Sequence, residues 1–319
     1  MITDPATASR TMLFNIHRME WDTDLLDIFK LPEDGLPKVV QNSGQLAYTN
    51  PEAFLGIDAP ISGLIVDQQA ALFGHGCFKK GNLKNTYGTG CFMLMNTGGT
   101  PKLSHHGLLT TVAWVLDGAR TYALDGGVYT AGSAIDWLVN NLGIVKSPAE
   151  SNTLASSVTS NEGVFFVPAF VGLAAPYWDS EATGTIVGIT DRTNRANIVR
   201  ATLEAIAYQV DDVLRCMKAD SSSAVPRLMV DGGPTGNRFL MQFQADVAGI
   251  PVEVPEFTEV TTKGTAMLAG LGIDLWDDAA DLIASARKTI YKPKMLPRER
   301  ELLRTGWRRA VARSRGWNT

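Results

Sequence analysis

The chain has few cysteines, no long apolar run and no excess of positive charge, and each shortage closes a class of function. The three cysteines, Cys77, Cys91 and Cys216, are an odd number without metal-ligand spacing. They read as buried thiols in a reducing compartment, not as a disulfide framework or a zinc site. No apolar stretch reaches the about 18 residues of a membrane helix. Met1-Ile2-Thr3-Asp4 also lacks the basic and apolar regions of a secretion signal, so a cytoplasmic protein is expected. A net charge of -4 argues against a nucleic-acid partner, because neutralising a phosphate backbone takes a concentrated basic face. The visible basic cluster, Arg298 to Arg315, has Glu299 and Glu301 interspersed at its start and reads as a solvated helix. No solenoid repeat and no disordered block appears, with 45% hydrophobic and 19% charged residues.

At 319 residues the chain exceeds one ordinary core, so one large domain plus a part, or two domains, is the expectation. Its organising stretch runs from Ile61 to Asn96. An apolar strand, Ile61 to Val66, delivers Asp67 at its end, and a small-residue helix follows from Gln68 to about Gly74. After the basic turn Lys79-Lys80-Gly81 comes a hairpin, with Asn85-Thr86-Tyr87 and Cys91-Phe92-Met93-Leu94-Met95 flanking Gly88-Thr89-Gly90. A carboxylate at the carboxyl end of a strand sits where open α/β sheets hold ligands, and a Gly-Thr-Gly corner offers backbone N–H groups to an anion. One base and one phosphate cradle suggest phosphoryl transfer. Each residue also has a plainer reading: Asp67 as the cap of its own helix, Gly88 and Gly90 as turn residues.

Further along, Gly107 to Ala113 and Arg120 to Val128 read as strands joined by an Asp117-Gly118 turn. Ala131 to Leu138 reads as a helix starting on small residues, which permit close approach of a ligand or merely close packing. Val199, Leu203, Ile206, Val210, Val213 and Met217 recur at helical spacing and belong to a core; Glu204 reads as structural. In Arg227 to Asn237 a strand ends in Asp231-Gly232-Gly233 and turns into a helix with Phe239, Leu240, Phe243 and Val247 on one face. Gly233 leaves room for a flat ring, and Asn237 offers both a donor and an acceptor. An ordinary strand-turn-helix corner is the alternative.

In wording and order, DQQAALFG, NTYGTGCFMLMN, ASRTMLFNI, PYWD, GTIVGITDRTNRANIVRATL and VDGG…NRFLMQFQAD make essentially the whole chain resemble the FGGY carbohydrate kinase family. The resemblance implies an α/β, actin-like (ribonuclease H-like) sugar-kinase fold. It also implies ATP-dependent, in-line phosphorylation of glycerol to glycerol 3-phosphate and ADP. By it, Asp67 is the base, Gln68 orients the polyol and Thr89 steadies phosphate. Gly132 and Asp136 match nucleotide-contacting positions, Asp136 standing where relatives often carry glutamine. Gly233 and Asn237 hold the adenine end. Glu259 to Gly270 is scaffold, able to pack close to the adenosine site. Val66 replaces a usual glycine, so its side chain either crowds the polyol or faces the sheet. The loop from Pro37 to Pro60 carries neither a Gly-Gly-Thr-Arg element nor a phosphorylatable histidine, so neither form of regulation is expected.

The family's front lobe carries a DxGTxxxR loop whose aspartate helps to hold Mg2+, and an Arg-Glu pair with aromatics that grips the polyol. Neither is found in this sequence. The reading is therefore a tail of the N-terminal substrate domain over residues 1–74 and a complete C-terminal nucleotide-binding domain over 75–319. Such a chain is expected to bind ATP weakly, to turn over glycerol negligibly alone, and to seek either the missing lobe or a second copy as partner. Two alternatives stand beside this: another sugar kinase of the same family, and a non-catalytic nucleotide-binding module.

Overall fold

Strands in which every second side chain is apolar sort this protein's core onto the two faces of one mixed sheet. The structure, a computed structural model, describes residues 1–284 and 287–317. Its 7-stranded sheet comprises β1 (Leu83–Tyr87), β2 (Cys91–Gly98), β3 (Leu109–Leu116), β4 (Ala119–Val128), β5 (Leu228–Asp231), β6 (Val252–Pro255) and β7 (Lys288–Tyr291). The spatial order is β7-β6-β5-β1-β2-β4-β3. β1, β5 and β6 run parallel, and the remaining pairings are antiparallel.

The sequence dictates which side each strand residue faces. Leu83 and Tyr87 of β1, Met93 and Met95 of β2, Leu124 and Val128 of β4, and Leu228 and Val230 of β5 enter the larger core. There they meet the long helix α4 (Arg195–Ser221) and the helix α5 (Arg238–Ala248). The opposite face carries Leu94 and Ala123 beneath helices α1 (Asp67–Gly74) and α6 (Val260–Leu271). Out-of-phase polar residues of the same strands, Lys84, Thr86, Asp125 and Asp231, fall on that second face.

α4 starts at Asn194, whose side chain caps it reciprocally with Asn197, and ends at Ser222 in the left-handed conformation. Its apolar stripe is buried as the spacing indicates, and Glu204 is held by Arg200 at 2.7 Å and Asn161 at 2.7 Å. Both strands around the Asp117-Gly118 turn form; the second gains one residue at its start, and the first lies at Leu109–Leu116, shifted toward the turn from the expected Gly107 to Ala113. Two shorter helices, α2 (Gly132–Asn140) and α3 (Pro148–Ser156), lie beside the end of β1.

Four local expectations change. The run Ile61 to Val66 is strand only at its start: Pro60–Gly63 pairs with Ser43–Tyr48 in a separate 2-stranded ribbon, not in an open sheet. The helix expected from Gln68 begins at Asp67 itself, with Val66 as its cap residue, so Asp67 is not a helix cap either. The C-terminal helix α7 (Pro297–Ser314) is docked, not solvated: Trp307, Ala310 and Val311 form a buried stripe, Trp307 stacks on Tyr208 at 5.3 Å, and Arg304 pairs with Asp211 at 2.7 Å. Glu259 to Gly270 packs on α1, not over the glycine corner after β5. A Cβ at Gly264 would lie 1.9 Å from the carbonyl of Ala70, so only glycine allows the two helices so close.

Candidate functional site

Parallel β1 and β5 end side by side, and a cavity of about 820 Å³ opens where they stop. That volume is of the size that encloses a small-molecule cofactor, and its position at the carboxyl ends of parallel strands is where α/β sheets hold ligands. Thr89, Gly132, Asp136, Gly233 and Asn237 all line it, together with Ile135, Asn152 and Arg238. The residues singled out for nucleotide contact thus come from three segments and meet around one space. A Cβ at Gly233 would meet nothing within 4 Å, so this part of the wall is open to a flat ring.

The hairpin corner is clamped in place. The carbonyl of Gly88 accepts from the N–H of Gly132 at 3.0 Å, and that of Thr89 accepts from Ala131 at 2.8 Å and Ser133 at 3.2 Å. A Cβ at Gly132 would sit 2.5 Å from the Gly88 oxygen. The small residues at the start of α2 therefore serve close packing of helix on hairpin, and those N–H groups fix the corner instead of pointing at a ligand.

Asn237 has work of its own. Its Oδ1 accepts from the N–H of Leu240 at 3.0 Å and caps α5, and its Nδ2 donates to Ser151 Oγ at 3.1 Å on α3. Buried and doubly engaged, it fixes two walls of the cavity to each other. Asp136 is exposed on the cavity rim.

Asp67 and Gln68 lie outside that lining, at the solvent-facing start of α1. Asp67 Oδ1 accepts from the N–H of Gln68 at 2.7 Å, and Gln68 Nε2 donates to Asp67 Oδ2 at 3.2 Å. Beneath them is a residue that reading the sequence missed. Lys84 is 0% exposed, and its ammonium donates to Gln68 Oε1, to Thr86 Oγ1 at 2.8 Å and to the carbonyl of Phe92 at 3.1 Å. Thr86 Oγ1 in turn donates to Asp231 Oδ1 at 2.7 Å, which also lies 3.3 Å from His75 Nε2. A polar chain thus runs from the start of α1 to the end of β5, where the glycine corner of the cavity begins.

Burial pushes the Lys84 ammonium down to about 8, against the pull of Asp231, Asp125 and Asp67. Burial also acts to raise Asp231, but the hydrogen bond and charge of His75, with Lys84 and Thr86, hold it below the usual carboxylate range. Asp125, on the same face of β4, is raised by burial despite Arg10 Nη1 at 2.6 Å. The signal that reveals this group is the strand phase: polar residues on one face of otherwise apolar strands.

A three-layer α/β fold that brings two glycine corners to one cavity at the carboxyl ends of parallel strands defines the class of open α/β ligand-binding proteins. The comparisons narrow the class. Residues 83–273 match the C-terminal domain, and residues 1–74 the N-terminal domain, of the FGGY family of carbohydrate kinases; the chain belongs to that family. It is 50% identical over 311 residues to a glycerol kinase of Thermus thermophilus and 49% identical to one of Geobacillus sp. (strain WCH70). Each match covers 97% of this chain and 63% of the relative, so the chain spans under two thirds of the length of these curated relatives. Among solved structures it superposes on Plasmodium falciparum glycerol kinase with ADP at a TM-score of 0.91 and 36% identity, covering 98% of this chain and 63% of that one. The fold is also that of a xylulose kinase from Lactobacillus acidophilus, with a TM-score of 0.84 at 21% identity over 100% of this chain and 66% of the other.

Proposed function

We propose that this chain supplies the nucleotide cavity and the catalytic base of an ATP-dependent kinase that phosphorylates glycerol. The observation that carries this is the convergence of Thr89, Gly132, Asp136, Gly233 and Asn237 on one cavity, joined by a polar chain to Asp67 and Gln68. The glycerol kinases at 49–50% identity support the choice of alcohol.

In this reading Asp67 takes the proton from the terminal hydroxyl of glycerol as it attacks the γ-phosphorus of ATP in line, and ADP leaves. Gln68 orients the polyol. Thr89 steadies the phosphates on the clamped corner, and Gly233 and Asn237 form the adenine end. Residues 1–74 belong to the substrate side and residues 75–319 to the nucleotide side. Magnesium neutralises phosphate charge in such transfers. Among the described residues no group of three or more His, Cys, Asp or Glu side chains converges on a metal position. No helix among the described residues is long and apolar enough to cross a membrane, and a cytoplasmic site of action is part of the proposal.

The test joins this chain behind the front portion of the Thermus thermophilus relative and measures glycerol-dependent ADP release. Transfer that falls about 10²- to 10⁴-fold in Asp67→Asn supports the proposal. Nucleotide binding without any transfer by the unmutated fusion overturns it in favour of a binding module.

A further inference from the structure

We propose that Lys84 is a positioning residue that ties the alcohol-orienting Gln68 to the nucleotide corner, so that occupancy of the cavity is felt at the start of α1. The proposal rests on the phosphoryl-transfer reading and deepens it.

The geometry is that of a relay, not a ligand contact. An ammonium has three N–H donors, and Lys84 commits them to Gln68 Oε1, Thr86 Oγ1 and the Phe92 carbonyl. None is left for a substrate. The three acceptors lie on α1, β1 and β2, so the side chain pins three elements at one point. The Thr86 hydroxyl spends its proton on Asp231, the last residue of β5 before Gly232 and Gly233. Any shift of the Gly233 corner on nucleotide binding therefore reaches Gln68 through Asp231, Thr86 and Lys84.

A buried ammonium at this point has a charge role as well. Asp231 on β5, Asp125 on β4 and Asp67 on α1 face it, with the Cys77 thiol beyond; His75 and Arg10 offset two of those carboxylates. None of the three carboxylates is in contact with Lys84, so the ammonium shares its field among them instead of being neutralised by one partner. A solvated lysine would serve neither purpose. Desolvation of this one is the cost that its three hydrogen bonds offset.

The experiment follows the side-chain amide resonances of Gln68 in the isotope-labelled chain while ADP is added, with the backbone N–H of Gly132 and of Asn237 as reporters of the cavity. The expected result is that ADP shifts all three sites in the wild type, but only the cavity reporters in Lys84→Met. Thr86→Val cuts the middle of the relay without touching the ammonium's charge, and it too should silence Gln68. Either variant decides if the other fails to fold. ADP that moves the cavity reporters but not Gln68 in the wild type, or moves Gln68 equally in the variants, overturns the assignment of Lys84 alone. ADP that moves nothing in the wild type overturns the nucleotide reading and the relay with it.

Discussion

Arg10 and Asp125 meet at 2.6 Å, joining the chain before the first strand of the sheet to the second face of β4. The Asp125 side chain is largely buried, whereas the Arg10 side chain is 39% exposed. Removing the arginine strands a charge that burial already disfavours. Arg10→Met should destabilise the fold at pH 7 by about 2 kcal/mol, less than the loss of a fully buried pair because solvent screens the arginine end. Asp125→Asn in the same background should return most of that loss. Urea denaturation of the two single variants and the double variant checks the cycle; additive losses would show that the two side chains do not interact.

The depressed Lys84 ammonium fixes a sign for stability against pH. Its folded value, about 8, lies below the ordinary lysine value of 10.5, so above pH 8 the unfolded chain binds more protons than the native one. Stability contributed by this group therefore rises with pH from about 8 toward 10.5, the reverse of a salt-bridged lysine. The clean window is pH 8 to 9, because the Cys91 thiol, raised by burial to about 12, begins to act the other way above the ordinary thiol value of 9.0. Between those limits wild type should gain up to about 1 kcal/mol relative to Lys84→Met. Paired denaturation curves at pH 7.5 and 9 measure the difference, and a flat difference would mean that the ammonium titrates as a solvated one.

Asn237 is set between two helices, and its two halves can be separated. Asn237→Ala removes the cap of α5 and the donor to Ser151, a loss of about 1–2 kcal/mol. Asn237→Asp keeps an acceptor for the Leu240 N–H and should keep most of the stability. It nevertheless adds a negative charge to the cavity and should weaken ADP binding. Thermal melts with and without ADP distinguish the two effects; equal melting temperatures for the alanine and aspartate variants would remove the capping argument.

How far the sequence could be read depended on whether local pattern or long-range packing decided a residue's place. The stripe from Val199 to Met217 and the Asp117-Gly118 turn are local, and both formed as expected. The five cavity residues come together because they stand at or within about one turn of a tight corner or helix start whose wording was already distinctive. Ile61 to Val66 failed as a six-residue strand for a non-local reason. A Cβ at Gly63 would lie 2.6 Å from the backbone nitrogen of Ala269, so the segment is shaped by α6, more than 200 residues away, and not by its own apolar run. Lys84 escaped notice because a lone lysine in a strand ordinarily reaches solvent. Its meaning appears only when the phase of β1 is compared with Asp125 on β4 and Asp231 on β5.

The clamp between hairpin and helix yields the last prediction. Gly132→Ala places a methyl group 2.5 Å from the Gly88 carbonyl, a backbone atom that cannot swing aside as a side chain does. The corner must retreat by several tenths of an ångström, lengthening the 3.0 Å bond from Gly132 N–H and the paired bonds to the Thr89 carbonyl. Alanine's better helix propensity offsets part of the cost to the fold, so melting temperature should change modestly. The cavity wall moves regardless, and ADP affinity should fall about tenfold, equivalent to about 1.4 kcal/mol. Gly35→Ala, where a Cβ meets nothing within 4 Å, controls for glycine replacement as such. Calorimetric titration of ADP into the three proteins decides the matter: unchanged affinity in Gly132→Ala would mean that the corner does not hold the nucleotide.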